Sequence, residues 1–204
     1  MKSPRIVVVG SVNCDMVIKN RRIPAVGETV TGGQFVMAAG GKGANQAVAA
    51  ARLGAEVTLV ARTGQDLFGD QAIADYRKEG IVTDWIFRDP DLPTGVALIL
   101  VDDQGENLIS VASGANHALS PQDVEKAAGQ IRAADVVLLQ LEVPMETVEF
   151  TARLASEAGV VVVLDPAPAP AASLPASLLQ QVTYVKPNET EAERLTGLEV
   201  RDEA

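Results

Sequence analysis

The chain has 204 residues, of which 47% are hydrophobic and only 3% aromatic, and 27 acidic against 17 basic side chains leave a formal charge of −10. That length accommodates one α/β domain with an appendage, and that apolar share supplies a large core. The negative charge argues against binding a phosphate backbone and the scarcity of rings against a stacking platform for single strands, so no nucleic acid partner is expected. A small anionic ligand stays open, because its pocket needs only local positive potential. The one cysteine, Cys14, cannot form an internal disulfide and joins no cysteine–histidine metal pattern. The apolar run Ile6–Val9 is too short for a secretory signal and no stretch approaches the length of a bilayer span, so a cytoplasmic setting with no membrane partner is expected.

Ile6–Val9 reads as a fully buried first strand ending at Gly10-Ser11. Asn13 and Asp15 follow, one residue apart. On extended backbone they point to one side, just past the end of a strand where open α/β sheets hold ligands. An Asx turn or cap accounts for the same pair. Met16-Val17-Ile18 reads as a strand, Pro24–Gly27 as a turn, and Thr29–Met37 as another strand containing Gly32-Gly33. No helix fits residues 16 to 40, so this segment reads as a β insertion hanging over the site, suited to a lid.

Next comes the stretch Ala38–Gly54, three glycines in four positions running into a small-residue helix. Ala44, Ala47, Val48 and Ala51 form its apolar stripe, and Gly54 is placed just past its end. Free N–H groups at such a helix start attract anions and polar oxygens. With the charge of Lys42 and the amide of Asn45 added, the first turn is expected to hold a small, oxygen-rich ligand. The spacing is neither a P-loop nor a dinucleotide fingerprint, and a plain tight turn with a solvated lysine reads equally well from this stretch alone.

Glu56–Ala61 is a second core strand, residues 63–66 a loop, and Phe68–Glu79 a helix stopped by Gly80. Ile81–Phe87 reads as a strand, followed by a hairpin of Gly95–Val101 and Asn107–Ala112. The hairpin is a second contribution to the lid, with hinges at Pro93–Gly95 and Ser113–Asn116. From Ser120 the pattern alternates: a capped helix to about Arg132, strand Val136–Leu141, helix Pro144–Ala158, strand Val160–Leu164, strand Val182–Val185, and a helix from Asn188 to near Gly197. The tract from Pro166 to Pro175 reads as a surface connection. Strands separated by helices of this length imply a parallel sheet covered on its faces.

Three of these strands end in polar residues: Glu142, Asp165, and the set Lys186, Asn188, Glu189 and Glu191. They gather on the rim that already carries Asn13, Asp15 and the glycine stretch. Asn188-x-x-Glu191 is also a capping box, and a cap at a strand-to-helix junction can face a site at the same time. A carboxylate there could order the water of a Mg²⁺ ion. The one histidine, His117, has no serine or cysteine partner for a hydrolase triad and reads as hinge surface.

Taken together, Gly10–Asp15, Pro24–Thr29, Gly40–Gly54, Thr94-Gly95, Gly114–Asn116, Leu139–Glu142, Asn188–Glu191 and Leu195–Gly197 resemble, in order, the ribokinase (PfkB-like) family of carbohydrate kinases. The resemblance implies a parallel α/β/α sandwich with a small β-sheet lid through which two copies form a homodimer. On it, residues 1–15, 41–93 and 116–204 form the core and residues 16–40 and 94–115 the lid. It implies transfer of the ATP γ-phosphoryl to the 5-hydroxyl of D-ribose to give D-ribose 5-phosphate, with Mg²⁺ and K⁺. Carried over by position, Asn13, Asp15, Gly41, Lys42, Gly43, Asn45 and Glu142 bind the sugar, Asn188 faces the nucleotide and Glu191 acts on the metal.

The family's Gly-Ala-Gly-Asp motif, which carries an anion hole and the catalytic base, occurs nowhere in these residues, and the hinge Gly114-Ala115-Asn116 cannot replace it. The resemblance therefore covers the N-terminal part of the family fold and assigns no catalytic residue here. The base, most of the adenine pocket and the K⁺ site are expected beyond residue 204, and these residues alone are expected to turn over little or not at all. Another sugar or nucleoside kinase, or an inactive sugar-binding or dimerisation module, stays open.

Overall fold

The computed structural model describes residues 2–200; residues 1 and 201–204, at the outer ends of the expected core segments, lie outside the described residues. Strands β1 (Arg5–Val9), β2 (Asn13–Lys19) and β3 (Gln34–Gly40) precede helix α1 (Lys42–Arg52). Then come β4 (Glu56–Gly64), α2 (Leu67–Lys78), β5 (Ile86–Asp89) and the hairpin β6 (Gly95–Val101) and β7 (Asn107–Ala112). A 3₁₀ turn at Gly114–Ala118 leads to α3 (Pro121–Lys126), α4 (Ala128–Ala133), β8 (Val136–Leu139) and α5 (Met145–Glu157). The order closes with β9 (Val161–Leu164), α6 (Ala176–Leu179), β10 (Tyr184–Val185) and α7 (Glu189–Thr196).

Six strands form one parallel sheet in the order β10-β9-β8-β1-β4-β5. Its central strand alternates between two cores: Val7 and Val9 pack with Ile131, Leu139, Val148 and Leu164, while Val8 packs with Ala44, Ala47, Leu59 and Tyr76. Both faces are therefore dry, which is why these strands read as unbroken apolar runs. Each valine so buried stabilises the fold by about 1.5–3 kcal/mol relative to exposure. Helix α1 lies close to the sheet because its buried line is Gly43, Ala44, Ala47 and Ala50. Val48 and Ala51, expected on that line, flank it and are half-buried.

Four strands form a second sheet, β3-β2-β6-β7, with β2 and β6 parallel and both outer pairs antiparallel. Its two inner strands leave the rim of the large sheet, β2 directly after β1 and β6 directly after β5. Asp15, Ala38, Ala97 and Val111 stand side by side on one face, and Met16, Met37, Leu98 and Ser110 on the other.

Several boundaries differ from the sequence expectation, each for a local reason. The second insertion strand starts at Gln34, not Thr29, because Gly32 takes a φ of +88° and turns the chain; it then runs on to Gly40. The strand expected at Met16–Ile18 begins at Asn13, zipped to Gly40 and Gly95. Thr63 and Gly64, expected in a loop, close β4 by pairing with Arg88 and Asp89. Within Ile81–Phe87, Val82 makes an isolated bridge to Thr58 and only Ile86 and Phe87 belong to a strand, the Ile86 N–H turning back onto the Thr83 carbonyl between them. The helix after Ser120 breaks at Ala127, whose N–H bonds Val124 three residues back. The Ala/Pro tract is not merely a surface connection, because Ala167 and Leu174 are buried. Among the described residues no helix is long and apolar enough to cross a membrane.

Candidate functional site

The strand order reverses between β1 and β8: β4 follows on one side of β1, and β8 returns on the other. In open parallel sheets that reversal opens a crevice at the carboxyl ends of the strands. Ser11, just after β1, and Glu142, just after β8, meet across it, the Ser11 hydroxyl donating to Glu142 Oε2 at 2.5 Å. The same oxygen accepts from the Lys42 N–H at 3.0 Å. The Gly43 N–H donates to Ser11 Oγ at 3.2 Å, and the Ala44 N–H to the Ser11 carbonyl at 2.9 Å. So the first-turn N–H groups of α1 are not free, as the sequence suggested. The anion at this helix start is the chain's own Glu142, held by the peptide dipoles and the orphan donors.

Gly43 makes this convergence possible. A Cβ there would lie 2.5 Å from Ser11 N and 2.6 Å from Gly10 C, both backbone atoms that cannot swing aside. Gly41, with a φ of +90°, supplies the turn into the helix.

Asn13 and Asp15 are in β2, so the extended reading holds and the Asx turn does not. Asn13 is buried, and its Oδ1 accepts from Asn116 Nδ2 at 2.8 Å. Asp15 lies against Gly40, where a Cβ would fall 2.1 Å from its Oδ1. Burial, and then the nearby charge of Glu142, push the Asp15 carboxyl above its ordinary pKa. A cleft of about 180 Å³ is lined by Asn13, Val111, Ser113, Asn116, His117 and Glu142. Lys42 is half-buried above Glu142. Asn45 is exposed and borders a different groove, of about 500 Å³, with Arg52, Asp75, Tyr76 and Glu79. The structure therefore brings Asn13 and Glu142 into one cleft and leaves Asp15, Gly41, Lys42, Gly43 and Asn45 outside its lining.

Farther along the rim, Gln140 Nε2 donates to Gln46 Oε1 at 2.6 Å and Gln46 Nε2 to Asp165 Oδ2 at 3.2 Å. Lys186 Nζ pairs with the same Asp165 oxygen at 3.4 Å. Asn188 and Glu191 form a complete capping box: Asn188 Oδ1 accepts from the Glu191 N–H at 2.8 Å, and Glu191 Oε2 from the Asn188 N–H at 2.9 Å.

The junctions of the second sheet are tightly bonded. Asp66 accepts from the Thr94 N–H and hydroxyl, both at 2.7 Å, and from the Gly69 N–H at 2.9 Å. Burial alone would raise the Asp66 pKa, but these bonds and the Arg88 charge outweigh it and hold the carboxyl low. The pairings of Ser11, Gln46 and Gln140, and the bonds that Asp66 accepts from Thr94, had no local motif to announce them, since each joins partners distant in sequence; the bond from Gly69 to Asp66 is a local helix cap.

A covered parallel sheet, a polar cleft at its switch point and a second sheet rising from the same rim define an α/β protein with a candidate small-molecule site. Residues 3–204 match the model of the pfkB family of carbohydrate kinases, and the chain belongs to that family. It is 47% identical over 196 residues to the ribokinase of Haemophilus influenzae, covering 96% of this chain and 63% of that protein. It is 39% identical over 195 residues to the deoxyribokinase of Salmonella typhi, covering 96% and 63%. The solved ribokinase of Arabidopsis thaliana complexed with ribose and ATP superposes with a TM-score of 0.85 at 34% identity, covering 97% of this chain and 64% of that one. The Giardia lamblia ribokinase superposes at 0.90 with 31% identity, covering 98% and 62%. The chain thus spans less than two thirds of these relatives' length.

Proposed function

We propose that this chain forms the sugar-binding part of an ATP-dependent ribokinase that phosphorylates the 5-hydroxyl of D-ribose. The observation that carries the reading is the meeting of Asn13 and Glu142 in one switch-point cleft at the start of α1. Hydroxyl-binding amides and carboxylates on a rigid rim suit a neutral polyol. Similarity to a ribokinase complexed with ribose and ATP supports the same ligands here. In this reading Asn13, Asp15 and Glu142 hold sugar hydroxyls, and Gly41, Lys42 and Gly43 form the floor. Asn45 reaches the sugar only on a rearrangement of its neighbourhood, since it now borders another groove.

Asn188 would face the nucleotide phosphates from the start of α7. Mg²⁺ would come with ATP and neutralise phosphate charge. Among the described residues no cluster of three ligating side chains could hold a metal alone. That fits an ion held mainly by phosphate and water, with Glu191 as the single carboxylate: its Oε2 is engaged by the Asn188 N–H, which leaves the other oxygen for a metal-bound water. K⁺ is assigned no residue in this chain.

Residues 16–40 and 94–115 would act as a lid that excludes water during transfer. Its exposed Phe35, Met37, Leu98 and Leu108 suit a homodimer contact between lids. A second reading, 2-deoxyribose as substrate, draws on the 39% identity to a deoxyribokinase. Calorimetric titration of the chain with D-ribose and 2-deoxy-D-ribose tests both. Tighter binding of ribose is expected; tighter binding of the deoxy sugar favours the second reading, and binding of neither removes both.

A further inference from the structure

We propose that Asn116 is a positioning residue that fixes the amide of Asn13 with its NH₂ group toward the cleft, so that Asn13 meets a sugar as a hydrogen-bond donor. The inference rests on the sugar-site reading and adds to it the polarity of one contact and the residue that sets it.

The backbone N–H of Val12 can only donate, and it donates to Asn116 Oδ1 at 2.8 Å. The other end of the Asn116 amide is therefore its nitrogen. That nitrogen lies 3.0 Å from the Val12 carbonyl, an obligate acceptor, and 2.8 Å from the Asn13 side chain. A donor at that point requires an oxygen opposite it, so Asn13 turns Oδ1 toward Asn116 and Nδ2 away. Among the described residues Asn13 Nδ2 has no partner, and Asn13 lines the cleft together with Glu142. Asn116 is 1% exposed and Asn13 4%, so water does not compete for these bonds.

The fit is tight on the remaining side. Gly95 stands opposite Asn13 in β6, and a Cβ there would lie 2.2 Å from Asn13 Oδ1 and 2.4 Å from Asn116 Nδ2. Two residues on along the same face of β2, Asp15 offers a carboxylate. The strand thus presents one donor and one acceptor about 7 Å apart. The ligand this suits carries two hydroxyls, one accepting from Asn13 and one donating to Asp15.

The test titrates the chain with D-ribose and its monodeoxy analogues. Asn116→Asp keeps the oxygen that Val12 needs but puts a second oxygen against Asn13. Ribose affinity should fall about tenfold, the value of one directed hydrogen bond. The analogue lacking the hydroxyl that Asn13 meets should bind variant and unaltered chain alike. Unchanged ribose affinity, or equal weakening for every sugar, overturns the proposal. Should Asn116→Asp fail to fold, Asn13→Asp reads the same contact: it keeps the oxygen facing Asn116 and replaces only the cleft-facing NH₂. The same selective loss is expected, and retained ribose affinity would mean that Asn13 accepts, which overturns the inference. Side-chain amide exchange in the sugar-free chain reads the orientation independently. Slow exchange at Asn116 and fast exchange at Asn13 are expected, and the reverse order overturns the positioning role. Failure of the unaltered chain to bind any sugar, with that order intact, overturns the sugar-site reading and the donor role built on it, but not the amide's orientation.

Discussion

Ser11 and Glu142 stand 131 positions apart in sequence and share a 2.5 Å hydrogen bond across the switch point of the sheet. Glu142 also receives the Lys42 N–H, so one carboxylate ties β1, β8 and α1 together at the mouth of the cleft. Bonds to an ionised acceptor are worth more than neutral ones. Glu142→Gln should lower unfolding stability by roughly 1–2 kcal/mol, and Ser11→Ala by about 1 kcal/mol. The double substitution should cost less than the sum, because one weakens and the other removes the same bond. Urea titrations of the three variants measure this; strict additivity would show that the bond carries no coupling.

Two glycines in helices should respond in opposite directions. Gly43→Ala drives a Cβ into Ser11 N and Gly10 C, so backbone must move at the tightest point of the site. A loss of at least about 2 kcal/mol is expected. Gly129 in α4 has nothing within 4 Å of its Cβ position. Gly129→Ala should therefore stabilise by about 0.4–1 kcal/mol, through a less flexible unfolded chain and better helix propensity. Chemical denaturation of both variants checks the pair.

How far the sequence carried the reading follows from the range of each interaction. The buried strands were legible because both faces of the large sheet are covered, which leaves runs such as Ile6–Val9 without polar breaks. The caps at Ser120 and Asn188 were legible because a cap is a four-residue event. The occupied start of α1 was not, since Glu142 arrives there from 100 residues downstream. The position of Asn45 was not legible either: a glycine-rich turn predicts a helix start but not the angle at which the helix presents its first turn. Gly32 shortened a strand that composition alone would extend, because its φ depends on the turn it closes.

Asp66 gives the molecule an acid-sensitive joint where the second sheet leaves the rim. Its pKa is lowered in the folded state, so its contribution is fully present above the unfolded value of 3.8 and is lost as pH falls below it. Asp66→Asn removes that dependence, since an amide cannot titrate. It also weakens three bonds to Thr94 and Gly69. The variant should be less stable than the parent at pH 7 and approach it as the pH falls below 3.8. Melting temperatures across this range test the sign; a constant gap would remove Asp66 from the account.

Arg62 bridges two buried carboxylates, Asp89 at 2.8 Å and Asp123 at 2.9 Å, and so joins β4 to β5 and to the start of α3. Arg62→Met keeps much of the apolar stem but takes the cation from Asp89 and leaves Asp123 only Lys126, at 3.3 Å. Uncompensated buried charge is costly, and a loss of about 3 kcal/mol is expected. Arg62→Lys should fall between, because an ammonium cannot address two acids through a planar fork. Equal stability of the Lys variant and the parent in urea would show that the fork geometry contributes nothing.

Asp15 should show a conflict between stability and binding. Burial and the charge of Glu142 raise its pKa in the folded chain. The folded state thus holds the proton more tightly than the unfolded one, and ionisation costs stability as pH rises from below 3.8 through the raised value. Asp15→Asn removes that cost, so its melting temperature should exceed the parent's at pH 7 and lose the advantage near pH 3. Binding should move the other way if Asp15 accepts a sugar hydroxyl, because an amide is the weaker acceptor and brings NH₂ hydrogens into the site. Ribose affinity of Asp15→Asn should fall by about tenfold or more. In the parent, ribose affinity should decline on acidification at a pH above 3.8, where the raised carboxyl takes its proton. Calorimetric titrations of both proteins across pH 4–7 decide the matter: a pH-independent affinity in the parent, or an unimpaired variant, would take Asp15 out of the sugar site.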